Sequence, residues 1–420
     1  MLVLLLLIVA AILLFNRFRP FAYQPQGEDT YAFVIASSPR PTAKCERFET
    51  RLLPQGTAVY LYLLRDSTRT LPSYGDTVFA KTHIEWYHTM GRAFAFRYTI
   101  RPSQTHQPPL QVRLYNRLSS AGLHGDELGL VGALTLGYKE DLDPAVRHSF
   151  QAAGAAHVLA VSGLHTGIIY ALLLALLTAF GRFRPLHENR IHRCAISLVL
   201  IAALCAYAWL TGMTPSVVRA VVMLSLVEIG RMLYRNSLSV NTIAAAAVLI
   251  LIARPTDLWS LSFQLSFAAT FAIVLVAGQA ERWLHRLEWE YSWFGRPLSW
   301  IAGTLIISLA AQIGTLPITM YYFGQVSTCF LLANFIVLPL AFFLVPCGLV
   351  SIALGGSSLG ILFTHVTHAL AWLMNHSVAW LESLPAATVP CHLSAPMIPV
   401  YYLLVLSLFF LFRAARPPRV

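Results

Sequence analysis

From residue 156 to residue 412 the chain is almost continuously apolar, and the polar breaks in that stretch carry arginine at every second position. A bilayer span takes about 20 apolar residues. The stretch divides into nine predicted spans, near 157–180, 191–210, 215–234, 238–253, 259–280, 298–321, 327–353, 358–381 and 397–412. Short arginine-rich loops stay cytoplasmic. Twelve arginines fall on alternate connections: Arg182, Arg184, Arg190 and Arg193; Arg231 and Arg235; Arg282, Arg286 and Arg296; then Arg413, Arg416 and Arg419 in a basic tail over 413–420. The intervening loops carry only Arg254, beside Asp257. The pattern places the C-terminus inside and the β-rich domain ahead of the spans outside. Only 12% of the chain is charged, against about 25% in soluble domains. That excludes an ordinary soluble enzyme, a disordered chain and a fibrous protein.

The polar front, residues 16–155, contributes only +4 of the net charge of +11. An apolar segment at 1–15 is short for a span. It fits the tail of a longer helix or a tilted anchor, and the lack of a preceding basic residue or a small-residue cleavage site argues against a signal peptide. Within 28–105, five runs of β-branched and aromatic residues predict strands at Tyr31–Ile35, Arg47–Leu52, Ala58–Leu64, Asp76–Thr82 and Phe94–Ile100. Turn residues such as Pro54-Gln55-Gly56 separate them. Five strands in so short a stretch suit a small closed barrel of the OB type, with a small sandwich as the alternative. Residues 106–155 read as connecting helices. One, at 110–122, carries Leu110, Leu114 and Leu118 on one face and fits either the membrane interface or the barrel surface. The other opens at Asp143-Pro144, an N-cap followed by proline at the first helical position. The six cysteines include no Cys-x-x-Cys pair, so neither a zinc ribbon nor a dithiol redox site is indicated.

Ionisable and polar residues inside spans are costly and are candidate functional positions. Arg219 and Glu228 lie nine residues apart on one predicted helix, half a turn out of phase. Arg219 fits either a snorkelling residue or a phosphate contact at the mouth of a polar cavity, and Glu228 fits a partner for an arginine of the adjoining loop. The segment 156–167 holds His157 and His165, which on a continuous helix share a face, and Gly163 and Gly167 at a spacing that admits a neighbouring backbone. Ser162-Gly163 also fits a helix break. The two histidines read either as cavity lining or as glue between helices. Gln264, Gln312 and Asn334 sit in three further spans, His365, His368, Asn375 and His376 form a looser group, and Pro317, Pro339 and Pro346 predict broken helices. No metal-ligand cluster and no Gly-x-x-x-x-Gly-Lys occur, so neither a metal-dependent nuclease nor P-loop nucleotide hydrolysis is indicated.

The run Phe150-Gln151-Ala152-Ala153-Gly154-Ala155-Ala156-His157-Val158-Leu159-Ala160-Val161-Ser162-Gly163-Leu164-His165 resembles the signature of the ComEC competence proteins. Pro215-Ser216-Val217-Val218-Arg219-Ala220, Ser262-Phe263-Gln264-Leu265-Ser266-Phe267, Leu316-Pro317, Phe323-Gly324-Gln325 and Ala333-Asn334 resemble later motifs of that family in the same order, and Leu134-Thr135-Leu136-Gly137 matches its short helix before the signature. The resemblance covers about residues 30–390. It implies a multi-pass protein of the bacterial inner membrane that admits one strand of DNA to the cytoplasm during natural transformation, with an extracytoplasmic OB-like domain. The partners it implies are single-stranded DNA, a DNA-receptor protein on the outer side, a cytoplasmic ATP-driven helicase-type motor, membrane lipid and a second copy of the chain. It implies no cofactor. Many members carry a C-terminal metallo-β-lactamase-like domain and more membrane sequence before the β-domain. Here Val420 follows the last span closely, so the nuclease role of that domain is not expected. On this reading His157, Ser162, His165, Arg219, Gln264, Gln312 and Asn334 line a channel, and Gly163 and Gly167 pack helices. Two other functions compete: a transporter for a small or lipid-linked molecule, and an intramembrane hydrolase using Ser162 and His165.

Overall fold

The computed structural model describes residues 28–36, 40–41, 45–53, 57–64, 71–73, 75–87, 90–102, 110–159, 161–179, 190–234, 240–286, 295–385 and 387–414. The segment 1–15, the loop 181–189 and the end of the basic tail lie outside these residues. The chain divides into two compact units, residues 17–113 and the remainder.

The first unit is a barrel. Its strands are β1 (Glu28–Ile35), β2 (Arg40–Pro41), β3 (Cys45–Leu52), β4 (Thr57–Leu64), β5 (Thr77–Tyr87), β6 (Met90–Ala95) and β7 (Tyr98–Arg101). Five of them close a ring in the order β1-β3-β4-β6-β5, with β5 returning to β1. Every pairing in the ring is antiparallel except β4 with β6. That is the Greek-key order of an OB-fold, as expected from the turn spacing. Closure leaves the core to alternate residues: Phe48 and Leu52 of β3, Val59, Leu61 and Leu63 of β4, and Val78, Ala80 and Ile84 of β5 are buried. Two polar side chains that share this interior are satisfied across strands. Thr50 Oγ1 donates to Val59 O at 2.7 Å, and Thr82 Oγ1 to Phe94 O at 2.8 Å.

The fifth predicted strand, Phe94–Ile100, is corrected. The chain bends at Phe96-Arg97, so that β6 closes the barrel and β7 pairs with the start of β5. The inward side is the small set Gly91, Ala93 and Ala95, while Phe94 and Phe96 are exposed. A shift of one residue exchanges the two faces of a strand.

The second unit is helical: α1 (Leu110–Ser120), α2 (Gly125–Leu136), α3 (Pro144–Ala152), α4 (Gly163–Ala179), α5 (Arg190–Leu210), α6 (Pro215–Met232), α7 (Val240–Ala253), a 3-10 turn (Pro255–Trp259), α8 (Leu261–Arg286), α9 (Gly295–Phe323), α10 (Phe330–Leu354), α11 (Ser358–Glu382) and α12 (Met397–Ala414), with a short ribbon of β8 (Gln325–Ser327) and β9 (Thr388–Pro390). Each predicted span holds one of α4–α12. Three helical stretches, Ile191–Leu210, Ile301–Phe323 and Phe330–Leu354, are long and apolar enough to cross a membrane, and four shorter stretches of α4, α7, α8 and α12 are also apolar.

The core gathers around α2, whose residues Leu128–Leu136 are all buried. A Cβ at Gly132 would lie 2.7 Å from the Tyr115 ring, so glycine is what lets α1 lie down on α2. The buried residues of this amphipathic helix, Tyr115 and Leu118, face the helical core, with Leu114 packed against it. Burial first, then the neighbouring Asp141, push the Tyr115 phenol pKa upward. At α3 the expected cap forms, with Asp143 Oδ1 accepting from Ala145 N at 2.6 Å.

The prolines do not break their helices; α9 runs through Pro317, and α10 through Pro339 and Pro346. Proline cannot bond the carbonyl four residues back and its ring crowds the preceding turn. In an apolar environment those freed carbonyls need other partners. At Pro317 the partners are two tyrosines of α12: Tyr401 OH donates to Ile313 O at 3.0 Å and Tyr402 OH to Gly314 O at 2.8 Å. Replacing both tyrosines by phenylalanine is expected to lower stability by about 1–3 kcal/mol for each carbonyl stranded. Thermal unfolding in detergent checks this. The Tyr401→Phe part should shrink in a Pro317→Ala background, where Ile313 O regains its helical donor, and equal losses in the two backgrounds would contradict the assignment.

Candidate functional site

The starts of α4, α6 and α8 approach one another, with Gly163 of α4 against Ala220 of α6 and Arg219 of α6 bonded to Ser262 of α8. The turns beside them also pack closely. A Cβ at Gly163 would lie 3.7 Å from Ala220 Cβ, and one at Gly137 would lie 3.2 Å from Thr211 O and 3.8 Å from Thr214 Cγ2. A Cβ at Gly154 would meet Ser327 at 2.8 Å, and Ser327 Oγ donates to Ala152 O at 3.0 Å.

His157 and His165 do not share a helix. Residues 153–159 form turns, His157 is exposed there, and α4 begins only at Gly163. The break expected at Ser162-Gly163 is therefore the one realised, and the single-face reading of the two histidines is corrected. Ser162 caps α4, its Oγ accepting from Leu164 N at 3.3 Å. His165 Nδ1 in turn accepts from Ser162 N at 3.1 Å and lies 3.1 Å from Ser162 Oγ. This is a capping box in which histidine takes the place usually held by glutamate or glutamine. Capping accounts for the Ser162–His165 proximity that otherwise suggests a hydrolase dyad. Because Nδ1 accepts a backbone N–H, the ring carries its proton on Nε2. His165 is fully buried and that Nε2 has no partner among the described residues. Gly167 faces open space within 4 Å, so the close approach expected there is not made.

Arg219 does not snorkel. It is 1% exposed on the first turns of α6. Its Nη2 donates to Ser262 O at 2.8 Å and Ser262 Oγ at 2.6 Å at the start of α8, while Nε and Nη1 have no partner among the described residues. Asp257, on the 3-10 turn before α8, is the carboxylate whose field reaches it. Tyr207 OH and Thr214 Oγ1 are also buried without a partner. The orphaned groups on α4, α5 and at the start of α6 are all able to donate hydrogen bonds, a chemistry suited to an anion. A buried donor left unmade costs about 1–3 kcal/mol, so the set is expensive unless something uses it.

The other predicted positions are less concentrated. Gln264, one turn into α8, donates through Nε2 to Leu258 O at 3.2 Å and lines a cleft of about 560 Å³ with Trp259, Tyr321, Tyr322 and Tyr402. Asn334 lies near the start of α10 with Oδ1 buried and unpartnered. Gln312 is half-buried on α9 and joins none of these contacts. His365, His368 and His376 are exposed on α11, and Asn375 alone of that group has buried, unpartnered atoms. Among the described residues no three of His, Cys, Asp or Glu gather as a metal site, and the six cysteines form no disulfide.

At the opposite end of the same helices a second polar node forms. Glu228 is fully buried. It accepts from Ser197 Oγ of α5 at 2.6 Å, from Arg231 Nη1 at 2.8 Å and from Tyr170 OH of α4. The arginine expected to meet it is therefore present, on its own helix. Ser197 and Tyr170 were not foreseen, since a lone serine and a tyrosine inside apolar runs give no signal of their own.

The fold and its apolar helices define a helical membrane protein joined to an OB-like barrel. The competence protein family profile matches residues 134–416. The chain belongs to that family. It is 28% identical over 277 residues to ComE operon protein 3 of Bacillus subtilis, covering 65% of this chain and 33% of that one. Recombination protein 2 of Haemophilus influenzae is 26% identical over 54% of this chain and 29% of its own. The uncharacterized protein YcaI of Escherichia coli is 27% identical over 50% of this chain and 27% of its own. The chain thus spans about a third or less of these relatives. No solved structure matches.

Proposed function

We propose that this chain acts in DNA uptake during competence, as a nine-span channel of the bacterial inner membrane that passes single-stranded DNA into the cytoplasm. Membership of the competence family sets the process. The observation that carries the mechanism is the set of buried groups with unused hydrogen-bond donors headed by Arg219. A strand carries one negative charge per nucleotide, and such a charge cannot cross hydrocarbon unaided. Arg219 Nε and Nη1, the His165 Nε2 proton and the hydroxyls of Tyr207 and Thr214 can replace water around a passing phosphate. Asn334, Gln264 and Gln312 continue a polar path on neighbouring helices, and Ser162 and Gly163 set the start of α4 that holds His165 in place.

The arginine alternation supports an outer placement of the barrel. A receptor there hands over the strand, and a cytoplasmic ATP-driven helicase-type motor draws it through. A second copy of the chain belongs to the same reading. The barrel adds a surface for bases: Tyr62 and Phe94 stack with ring centroids 4.6 Å apart on its outside, and OB-folds bind single strands by such stacking. Transformation by strains carrying His165→Ala tests the lining at constant protein level. Reduced transformation with DNA held outside the cytoplasm is expected, and wild-type transformation would remove His165 from the path.

A further inference from the structure

Between α4, α5 and α6, at the end opposite the Arg219 lining, lies a cavity of about 50 Å³ bordered by Thr178, His192, Arg193, Ser197 and Arg231. One water needs roughly 10–15 Å³, so the space suits a single tetrahedral oxyanion and is too small for a nucleotide. Arg231 is already neutralised by Glu228. Arg193 is not paired with any acid among the described residues. Its Nε and Nη2 are both buried and without a partner among the described residues. Those two nitrogens form the side-on fork that grips an oxyanion through two parallel bonds. The guanidinium is held in place by the Tyr234 ring, its Cζ 3.3 Å from the ring centroid. Arg193 also sits in the first turn of α5, where backbone N–H groups have no helical acceptor and anions are favoured.

The flanks of this cavity say which source the oxyanion comes from. On α4, Leu172 and Leu176 are exposed, and on α5 Ile191, Leu198 and Val199 are exposed, Ile191 by 83%. Apolar surface on both sides of a cationic notch fits an amphiphile whose chains lie along the helices. We propose that this cavity binds the phosphate group of an anionic membrane lipid, with Arg193 as the bidentate contact. Basic notches between membrane helices are a recurrent place for such head groups. The claim stands apart from the uptake reading, because it needs neither DNA nor a given orientation in the membrane.

The test uses the full chain purified in detergent, with native mass spectrometry and thermal unfolding as readouts. The wild type should retain phosphatidylglycerol about tenfold better than phosphatidylcholine of the same chains, and be stabilised by it. Arg193→Gln should abolish the preference, and Arg193→Lys, which keeps the charge and loses the fork, should retain part of it. Inorganic phosphate at millimolar concentration and a short oligonucleotide are the competing probes. A wild type with no preference overturns the proposal, and so does a full preference in Arg193→Gln. Stabilisation by inorganic phosphate equal to that by phosphatidylglycerol overturns the lipid as the source. If Arg193→Gln does not fold, Arg193→Lys and the wild-type comparison still decide between these outcomes.

Discussion

Arg219→Met should leave the protein at least as stable as the wild type while lowering transformation by about 100-fold, the equivalent of roughly 3 kcal/mol for loss of contacts to a charged group. The two halves of this expectation come from the same geometry. Arg219 is 1% exposed and uses one nitrogen of three, on Ser262. Replacing a buried charge by an apolar side chain of similar length is often neutral or stabilising, because the cost of desolvating the charge disappears. A purely structural arginine would therefore be dispensable. A functional one would be missed only when DNA passes. Arg219→Lys keeps the charge and loses the planar fork, so an intermediate fall of about tenfold is expected. Thermal unfolding and protein level are read beside transformation frequency. Normal transformation by Arg219→Met at normal protein level would remove Arg219 from the path.

Glu228→Ala should have the opposite signature: a protein that fails to accumulate. Its carboxylate is fully buried and joins α4, α5 and α6 through Tyr170, Ser197 and Arg231. Removing one partner of a buried charged pair costs about 3–5 kcal/mol, since the other charge is left uncompensated. That is a large fraction of the stability of most domains. Replacing Glu228 and Arg231 together by leucine should restore much of the loss, because no lone charge remains. The measurement is the fraction of folded protein recovered in detergent for the single and double variants. A single variant as abundant as the wild type would show that the node contributes little, and a double variant as poor as the single one would locate the effect in the helix contacts and not in the charge.

The membrane helices were readable before the structure because their signal is long and additive. Each predicted span overlaps one helix, and the boundaries of α5, α6 and α11 fall within a few residues of those expected. The barrel was readable from turn spacing, but not its closing strand, where Phe94 and Phe96 point outward and small Gly91, Ala93 and Ala95 point in. Hydrophobic alternation marks the inner face only where the inner residues are the larger ones. α2 escaped the residue pattern because it is apolar on every side, as a helix enclosed by others must be. Arg219 and His165 stood out as costly residues in apolar surroundings, yet their partners did not. Ser262 is an ordinary serine in an apolar helix start. The link of Tyr401 and Tyr402 to Pro317 spans more than 80 residues, so local pattern could not connect them. The relation of His157 to His165 was misjudged because 3.6-residue periodicity assumes a helix that begins where the apolar run begins, and here Ser162 starts it later.

The most direct test of the channel reading follows labelled DNA into the cytoplasm of a competent strain lacking this chain, and of the same strain carrying it on a plasmid. The account predicts that donor DNA still reaches the outer face of the inner membrane in the deletion strain, that no labelled strand enters the cytoplasm, and that the plasmid copy restores entry. Labelled single strands reaching the cytoplasm of the deletion strain at wild-type amounts would contradict it.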